Sequence, residues 1–562
     1  MKDKVLIFEK TPSRYIRIAK EKVKKGEYTV AISLLFSALK LDDRNLEAIF
    51  EIAKIYSIIG KTKLSNNFLF YYLSIASAEE SDKAYTELVS NFYYKDFNLL
   101  MASYYFNLLI KDDEPIDIAE VDERIRGILQ SVPTKKRDYY VAYDKSKPSY
   151  DEQLLKAKMS FYNGNYSRSI ECFDEVPSEH MTAETFYQKA ICCIVNKNDE
   201  KAHETCSEAL KKVGEHFLVY SAFFSYYCAQ NNLEKMQYYY DKALSYCSFS
   251  EADSYKMVNY AIEMEDHKTV IKSIERILQK NPYEHELSFF YGLALLNEGN
   301  YQKAEEVFTG IYKLCPTEML YEYYKDLVIK LQSGESLPFK KLFPLPYDMN
   351  YPIGQQKLYK KRIKELELLK SKNVLKNSLT RQAVKWGLNC DEKEIIERCL
   401  AVAIISKDLE LIRYIKKFLL DVDYPISKKV IIVYSLVANR TRISFSLTTN
   451  GFFGKFKYKR LPFDEDENSR NFVLAYAEAI SRAIVFSDKE FRKIYNVVSA
   501  LHKKYLSLFN KECLLPEEIS ALIYYRCGFE EVKSIKEICR VFGINEKRFK
   551  QIKQLIEGET DG

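Results

Sequence analysis

Small and bulky apolar residues recur every 34 positions along much of this chain, and that period constrains the fold more than any other feature. One track reads Ala202, Met236, Val270, Ala304; a second, four residues on, reads Cys206, Tyr240, Ile274, Phe308; a third reads Ala209, Ala243, Ile277, Ile311. Pro282 and Pro316 close the last two units. Nearer the start, Ala31, Leu35 and Ala38 are answered by Ser65, Leu69 and Tyr72, with Ala19 and Ala53 in the matching place on the preceding helix. Helical i, i+4, i+7 spacing inside a fixed period of this length predicts a stack of helix pairs. A single pair leaves one apolar face uncovered and is stable only when the next pair lies on it. Small residues such as Ala190, Gly292 and Ala304 let neighbours approach closely.

These residues resemble the tetratricopeptide repeat family, in a bacterial-type member, over most of residues 12–330. The matching units are Pro12–Leu41, Asn45–Ala76, Tyr150–Pro177, Thr182–Leu210, Phe217–Leu244, Ala252–Pro282 and His285–Pro316. Several carry Gly just before the second helix, at Gly26, Gly60, Gly164 and Gly299. The stretch from Lys83 to Leu109 fits after a shift, through Ala102, Phe106 and Leu109, and reads as a degenerate third repeat. The expected fold is mainly α: an α-solenoid of antiparallel helix hairpins, followed by a smaller helical C-terminal region containing one β-hairpin. The expected domains are a superhelix of about eight repeats over 1–335, a Pro-rich linker over 336–355, a helical region ending in a basic hairpin over 356–462, and a helical module over 463–562.

The resemblance implies a curved trough lined by the first helix of every hairpin, which holds a peptide or partner protein and performs no chemistry. Aligning the first helices places Lys20, Lys54, Tyr187, Tyr255, Asn259 and Phe289 on that wall as candidate partner-binding residues. One sub-class of the family clamps a C-terminal carboxylate with Lys, Asn and Arg at two inner positions of its first repeats. Here those positions in the first two repeats hold Ile16, Lys20, Phe50 and Lys54, so the asparagines are missing and solvated lysines are the plainer reading.

Composition agrees with this picture. A chain of 562 residues, 47% of them hydrophobic, can bury several units or one long solenoid. The longest mostly apolar run, Val430 to Ala438, is about half of the ~20 residues needed to cross a bilayer, and Met1 to Tyr15 is charged with no leader-like apolar region. A cytoplasmic protein without a membrane segment is expected. The twelve cysteines include no CxxC pair, and they read as small core hydrophobes. His203 and Cys206 lie one helical turn apart, but no second ligand pair is in register, so neither a metal nor a cofactor is expected. The 45 tyrosines recur at core-facing repeat positions such as Tyr72 and Tyr240, which favours packing over a stacking surface for nucleic acid.

Pro338, Pro344, Pro346 and Pro352 stop any helix and mark a boundary. Beyond them the sequence predicts a basic helix from Gln356 to Val374, then helices near Ser378–Leu388, Glu392–Ser406 and Leu409–Leu420, with Trp386 in the core. From Arg442 to Leu461 the period changes to two: Ile443, Phe445 and Leu447 alternate with Ser444, Ser446 and Thr448, and Asn450-Gly451 offers a turn. This β-hairpin carries Arg442, Lys455, Lys457, Lys459 and Arg460, just before the acidic run Asp464–Glu467. Such a ribbon either lies against nucleic acid or is an exposed edge guarded by lysines, and the guard is the preferred expectation.

The end of the chain carries the sharpest local motif. A helix from Pro516 to Cys527 precedes one capped by Ser534 and running to Phe542; Gly543-Ile544-Asn545 makes a turn, and Glu546 to Lys553 forms a third helix. This resembles a helix-turn-helix and, more weakly, the closing helices of a cyclin-type repeat. Ile538, Cys539, Ile544, Phe549 and Ile552 would form its core, while Lys547, Arg548, Lys550, Gln551 and Lys553 would face a DNA major groove. A net charge of +6 over the whole chain is far from concentrated basicity. Bacterial peptide-sensing regulators also join the two modules, usually in the reverse order. No phosphate-cradling loop, nucleophile elbow, HExxH or kinase motif set is present, so an enzyme is not expected. The sequence thus points to a non-enzymatic adaptor that binds a peptide or protein in its groove. The alternative is a DNA-binding regulator whose repeats sense or bind a partner. Oligomeric state stays open.

Overall fold

The computed structural model describes residues 11–96, 98–109, 149–162, 166–339, 342–366, 375, 377–438, 445–449, 451–456, 461–463, 469–482, 488–512, 514–528 and 534–558. The protein is mainly α-helical, with one two-stranded antiparallel sheet among the described residues. Contacts divide the chain into two compact units, one made of Met1–Lys135 with Ile353–Gly562 and the other of Lys136–Pro352.

In the unit Lys136–Pro352 the expected repeat is visible in the helix boundaries themselves. First helices run Ala183–Val195, Phe217–Ala229, Glu251–Glu263, His285–Asn297 and Met319–Ser333; second helices run Asp199–Val213, Leu233–Tyr246, His267–Lys280 and Tyr301–Leu314. The turn inside each hairpin is built the same way. Lys197, Asn231, Glu265 and Gly299 all take left-handed backbone at φ 56, 52, 53 and 75°. The next residue then caps the second helix: Asn198, Asn232, Asp266 and Asn300 accept from the backbone N–H three residues on. The three apolar tracks face the core. Ala202, Val270, Ala304, Cys206, Ile274 and Phe308 are fully buried. Gly292 gives room for the Phe308 ring, because a Cβ there would stand 2.5 Å from its Cζ.

The unit formed by Met1–Lys135 and Ile353–Gly562 opens with three hairpins, Pro12–Lys24 with Tyr28–Leu41, Leu46–Ile58 with Thr62–Ile75, and Asp82–Tyr94 with Leu99–Leu109. The third is the shifted repeat, with Ala102 and Phe106 in the core. The C-terminal helices include Ile353–Leu366, Ser378–Asn389, Lys393–Ser406 and Leu409–Leu420; the last three keep close to their expected spans, while residues 367–374 of the expected basic helix Gln356–Val374 lie outside the described residues. Trp386 is buried and packs on Tyr359, with ring centroids 5.6 Å apart.

Strands β1 (Phe445–Thr449) and β2 (Phe452–Phe456) form the expected hairpin, with Thr449 opposite Phe452 and Leu447 opposite Gly454. The burial of its described residues corrects the reading of an exposed edge. Leu447, Thr448 and Thr449 are buried, and Phe452 and Phe453 join the core of the second and third hairpins beside Phe70, Phe92, Met101 and Tyr105. Phe453 stacks on Phe70 at 6.0 Å, and Lys455, read as a guard, donates from Nζ to the Ala76 carbonyl at 2.8 Å. Arg442, Ile443, Ser444, Asn450, Lys457, Tyr458, Lys459, Arg460, the run Asp464–Glu467 and Gly164 lie outside the described residues.

Candidate partner-binding site

The first helices place the six expected wall residues very differently. Lys20 is turned to Glu47 and Glu51, with Nζ 2.7 and 3.4 Å from their carboxylate oxygens. The Glu47 hydrogen bond, with both acidic charges, raises its pKa against a smaller opposing effect of burial. Lys54 sits 6.0 Å from the Phe50 ring centroid, beside Lys83 at 5.1 Å from the same ring. Neither lysine has the asparagine neighbour that a carboxylate clamp requires, and Lys20 already has its anions.

In the other unit, Tyr187 is half-buried and stands at a meeting of first helices. Tyr260 donates its hydroxyl to the Tyr187 hydroxyl at 3.2 Å, and Lys256 Nζ lies 5.6 Å from the Tyr187 ring centroid. Phe224 of the intervening first helix packs against Tyr260 with centroids 4.8 Å apart. Burial raises the Tyr187 phenol above its usual range. Tyr255 is 38% exposed and Asn259 is exposed one turn further along the same helix. Phe289 corrects the alignment: it is fully buried, with its ring 5.7 Å from Phe308, 5.7 Å from Tyr321 and 5.0 Å from Tyr324. It belongs to the core of the last hairpins and cannot touch a partner. Sequence reasoning missed Lys256 and Tyr260. The column Gln188, Ala222, Lys256, Phe290, Tyr324, one residue along from the chosen one, was the signal available for Lys256.

Residues of the proline-containing segment expected over 336–355 are hydrogen-bonded to these hairpins. Asn297, last residue of its first helix, donates from Nδ2 to the Leu345 carbonyl at 3.0 Å and accepts from the Leu345 N–H at 2.8 Å. The Tyr347 hydroxyl meets His267 Nδ1 at 2.8 Å, and Tyr324 donates to the Asn350 carbonyl at 3.1 Å.

At the C-terminus the helices Pro516–Cys527, Ile535–Phe542 and Glu546–Gly558 form, with the left-handed Gly543 in the turn between the last two. Ile538, Cys539, Phe549 and Ile552 are buried as expected, while Ile544 is half-buried. Of the residues expected to face nucleic acid, Lys547, Lys550 and Gln551 are exposed. The other two turn inward. Arg548 Nε donates to the buried Glu518 at 3.1 Å, and Lys553 Nζ lies 4.6 Å from the Tyr525 ring centroid. Arg548 and Lys553 are thus occupied within the module.

No family model matches the sequence, and no curated protein matches it. Among solved structures the chain is similar to the tetratricopeptide domain of P58(IPK), at 14% identity over 57% of this chain and 98% of that one, with a TM-score of 0.22. It is similar to the C-terminal part of a tetratricopeptide repeat-containing protein from Cytophaga hutchinsonii, at 15% identity over 55% and 98%, TM-score 0.18. Yeast Tom70 gives 13% identity over 77% and 96%, TM-score 0.27. No helix among the described residues is long and apolar enough to cross a membrane. From Ala183 to Leu314, helix pairs repeating every 34 residues, with a left-handed turn residue and a capped second helix in each, make this fold a helix-hairpin solenoid of the tetratricopeptide type.

Proposed function

We propose that the chain is a non-enzymatic scaffold that binds a peptide or protein segment along the first helices of its hairpins, with Tyr187, Tyr255, Lys256 and Asn259 in the contact surface. The observation that carries this reading is the meeting of Tyr187, Lys256 and Tyr260 from two first helices, flanked by the exposed Asn259. The half-buried Tyr187 ring and the exposed Tyr255 ring, beside a cation and an amide, offer apolar contact, charge and backbone hydrogen bonding together, as peptide recognition requires. Helical hairpins supply this surface on a rigid support, and the mechanism is binding alone.

The test is retention of partners on tagged full-length chain, with the lysate divided into nuclease-treated and untreated halves. A discrete protein retained after nuclease and lost with Lys256→Glu plus Asn259→Ala supports the reading. Equal retention by both chains removes this surface from it. Nucleic acid recovered only without nuclease, and lost with Lys547→Glu plus Lys550→Glu, would replace it by the DNA-binding alternative. Arg548 is left unchanged in that variant because it holds Glu518.

A further inference from the structure

We infer that residues 342–352 are a built-in occupant of a second peptide site, on the hairpins from His267 to Tyr324, and that this site takes a non-helical segment with apolar side chains alternating with prolines. The inference rests on the scaffold reading and gives the partner a chemistry.

The grip is the one a groove uses on a peptide backbone. Asn297 takes both the N–H and the carbonyl of Leu345, a pair of bonds that any extended peptide can offer. The segment is suited to it. Phe343 and Leu345 each precede a proline, which biases them away from helical backbone, and burial alternates along the run. Leu345 is 2% exposed and Phe343 and Tyr347 are half-buried, while Pro344 and Pro346 are exposed. The inward side chains have aromatic seats: Phe343 lies 6.4 Å from the Tyr301 ring, Tyr347 lies 6.2 Å from Phe290, and Tyr351 lies 4.9 Å from Tyr323. The site is local to these hairpins. The residues in the place of Asn297 on the preceding first helices are Val195, Ala229 and Glu263, none of which is an amide able to donate and accept together.

A partner of the same chemistry competes with the strap for the site. The probe is a labelled peptide of residues 342–352, added to full-length chain and read by fluorescence anisotropy. Wild-type chain is expected to bind it at least ten times more weakly than a chain carrying Leu345→Ala with Tyr347→Ala, because its own strap fills the site. Adding Asn297→Ala to that variant is expected to abolish binding. Hydrogen exchange over the helix Met319–Ser333 is followed in parallel. If that helix stays protected and the strap variant still binds no peptide, the inference falls. If the helix loses protection in the double variant and in Leu345→Ala alone, the segment is only a cap on the last hairpin, and the inference falls equally. The strap contacts named above involve Asn297, His267, Tyr301, Phe290, Tyr323 and Tyr324 and not Lys256, so the partner-retention test fails or succeeds independently of this one.

Discussion

The hydroxyl of Tyr105, in the second helix of the third hairpin, donates to the carbonyl of Gly451 at the turn between β1 and β2. Both residues are buried, and Gly451 holds φ +89° with its Cα side against Met101. The bond ties the N-terminal hairpins to a sheet 346 residues further on. Replacing Tyr105 by Phe leaves a buried carbonyl without its donor and is expected to cost about 1–2 kcal/mol. Gly451→Ala is expected to cost at least as much, through a left-handed backbone and a Cβ only 2.9 Å from Met101 Sδ. Urea midpoints of full-length variants check both, and an unchanged midpoint for either refutes the corresponding contact.

The hairpin turns make a graded prediction. Lys197, Asn231 and Glu265 are exposed side chains in left-handed backbone, at the place where Gly299 stands in the last turn. That conformation costs an ordinary residue roughly 1–2 kcal/mol, partly offset by the entropy glycine loses on folding, while asparagine tolerates it. Lys197→Gly and Glu265→Gly are therefore expected to stabilise by about 0.5–1 kcal/mol, Asn231→Gly to be near neutral, and Gly299→Ala to destabilise by about 1 kcal/mol. Thermal midpoints of the four variants decide it. Equal effects at all four positions would mean that backbone strain is not what distinguishes them.

The 34-residue period was legible because each hairpin is a local structure repeated in register: Ala202, Val270 and Ala304 announce their burial by spacing alone. Distinguishing wall from core within a column was harder. Tyr255 and Phe289 occupy equivalent positions, yet Asn281 and Glu284 neighbour the former while Phe308, Tyr321 and Tyr324 enclose the latter. The hairpin's shape was also legible, from Asn450-Gly451 and the alternation around it, but not its burial. Phe70 and Tyr105, which cover it, are hundreds of positions away, and period-two alternation looks the same on an exposed edge as in a core. The partner of Arg548 was hidden for a similar reason, since Glu518 lies two helices earlier and has no fixed spacing to it.

Lys429 makes folding depend on alkaline pH. Its side chain is 1% exposed, and Nζ donates to the Thr448 carbonyl at 2.7 Å and to the Thr448 hydroxyl at 3.1 Å. Burial lowers its pKa from 10.5 to about 8, against a smaller upward pull from Asp421 and Asp423. The folded chain therefore gives up this proton before the unfolded chain does. Below about pH 8 both states carry the charge and the folded state bears the full cost of burying it. Between about pH 8 and 10.5 the unfolded state binds more protons, so this group's contribution to stability rises with pH. The gain approaches roughly 1.4 kcal/mol per unit of pH. Tyrosines and cysteines titrate in the same range, so the quantity to measure is the stability of wild type minus that of Lys429→Met from pH 7 to 11. A rising difference is expected; a flat one would show that the ammonium is solvated in the folded chain.

Phe289 and Tyr255 finally separate binding from folding. Removing the fully buried Phe289 ring leaves a hole among Phe308, Tyr321 and Tyr324, so Phe289→Ala is expected to cost about 3–5 kcal/mol of stability. Tyr255 is 38% exposed, and Tyr255→Ala is expected to change stability by no more than about 0.5 kcal/mol. If Tyr255 contributes to the partner surface, its removal weakens binding by about tenfold, equivalent to about 1.4 kcal/mol, in a chain whose unfolding is unchanged. Loss of binding in Phe289→Ala carries no such meaning, because the helices that present the surface would themselves be loosened. The measurement is a paired one, unfolding midpoint and partner affinity on each variant. Should Tyr255→Ala keep full affinity, the contact surface contracts to Tyr187, Lys256 and Asn259; should it lower stability as much as Phe289→Ala does, Tyr255 is a packing residue like its equivalent in the next hairpin.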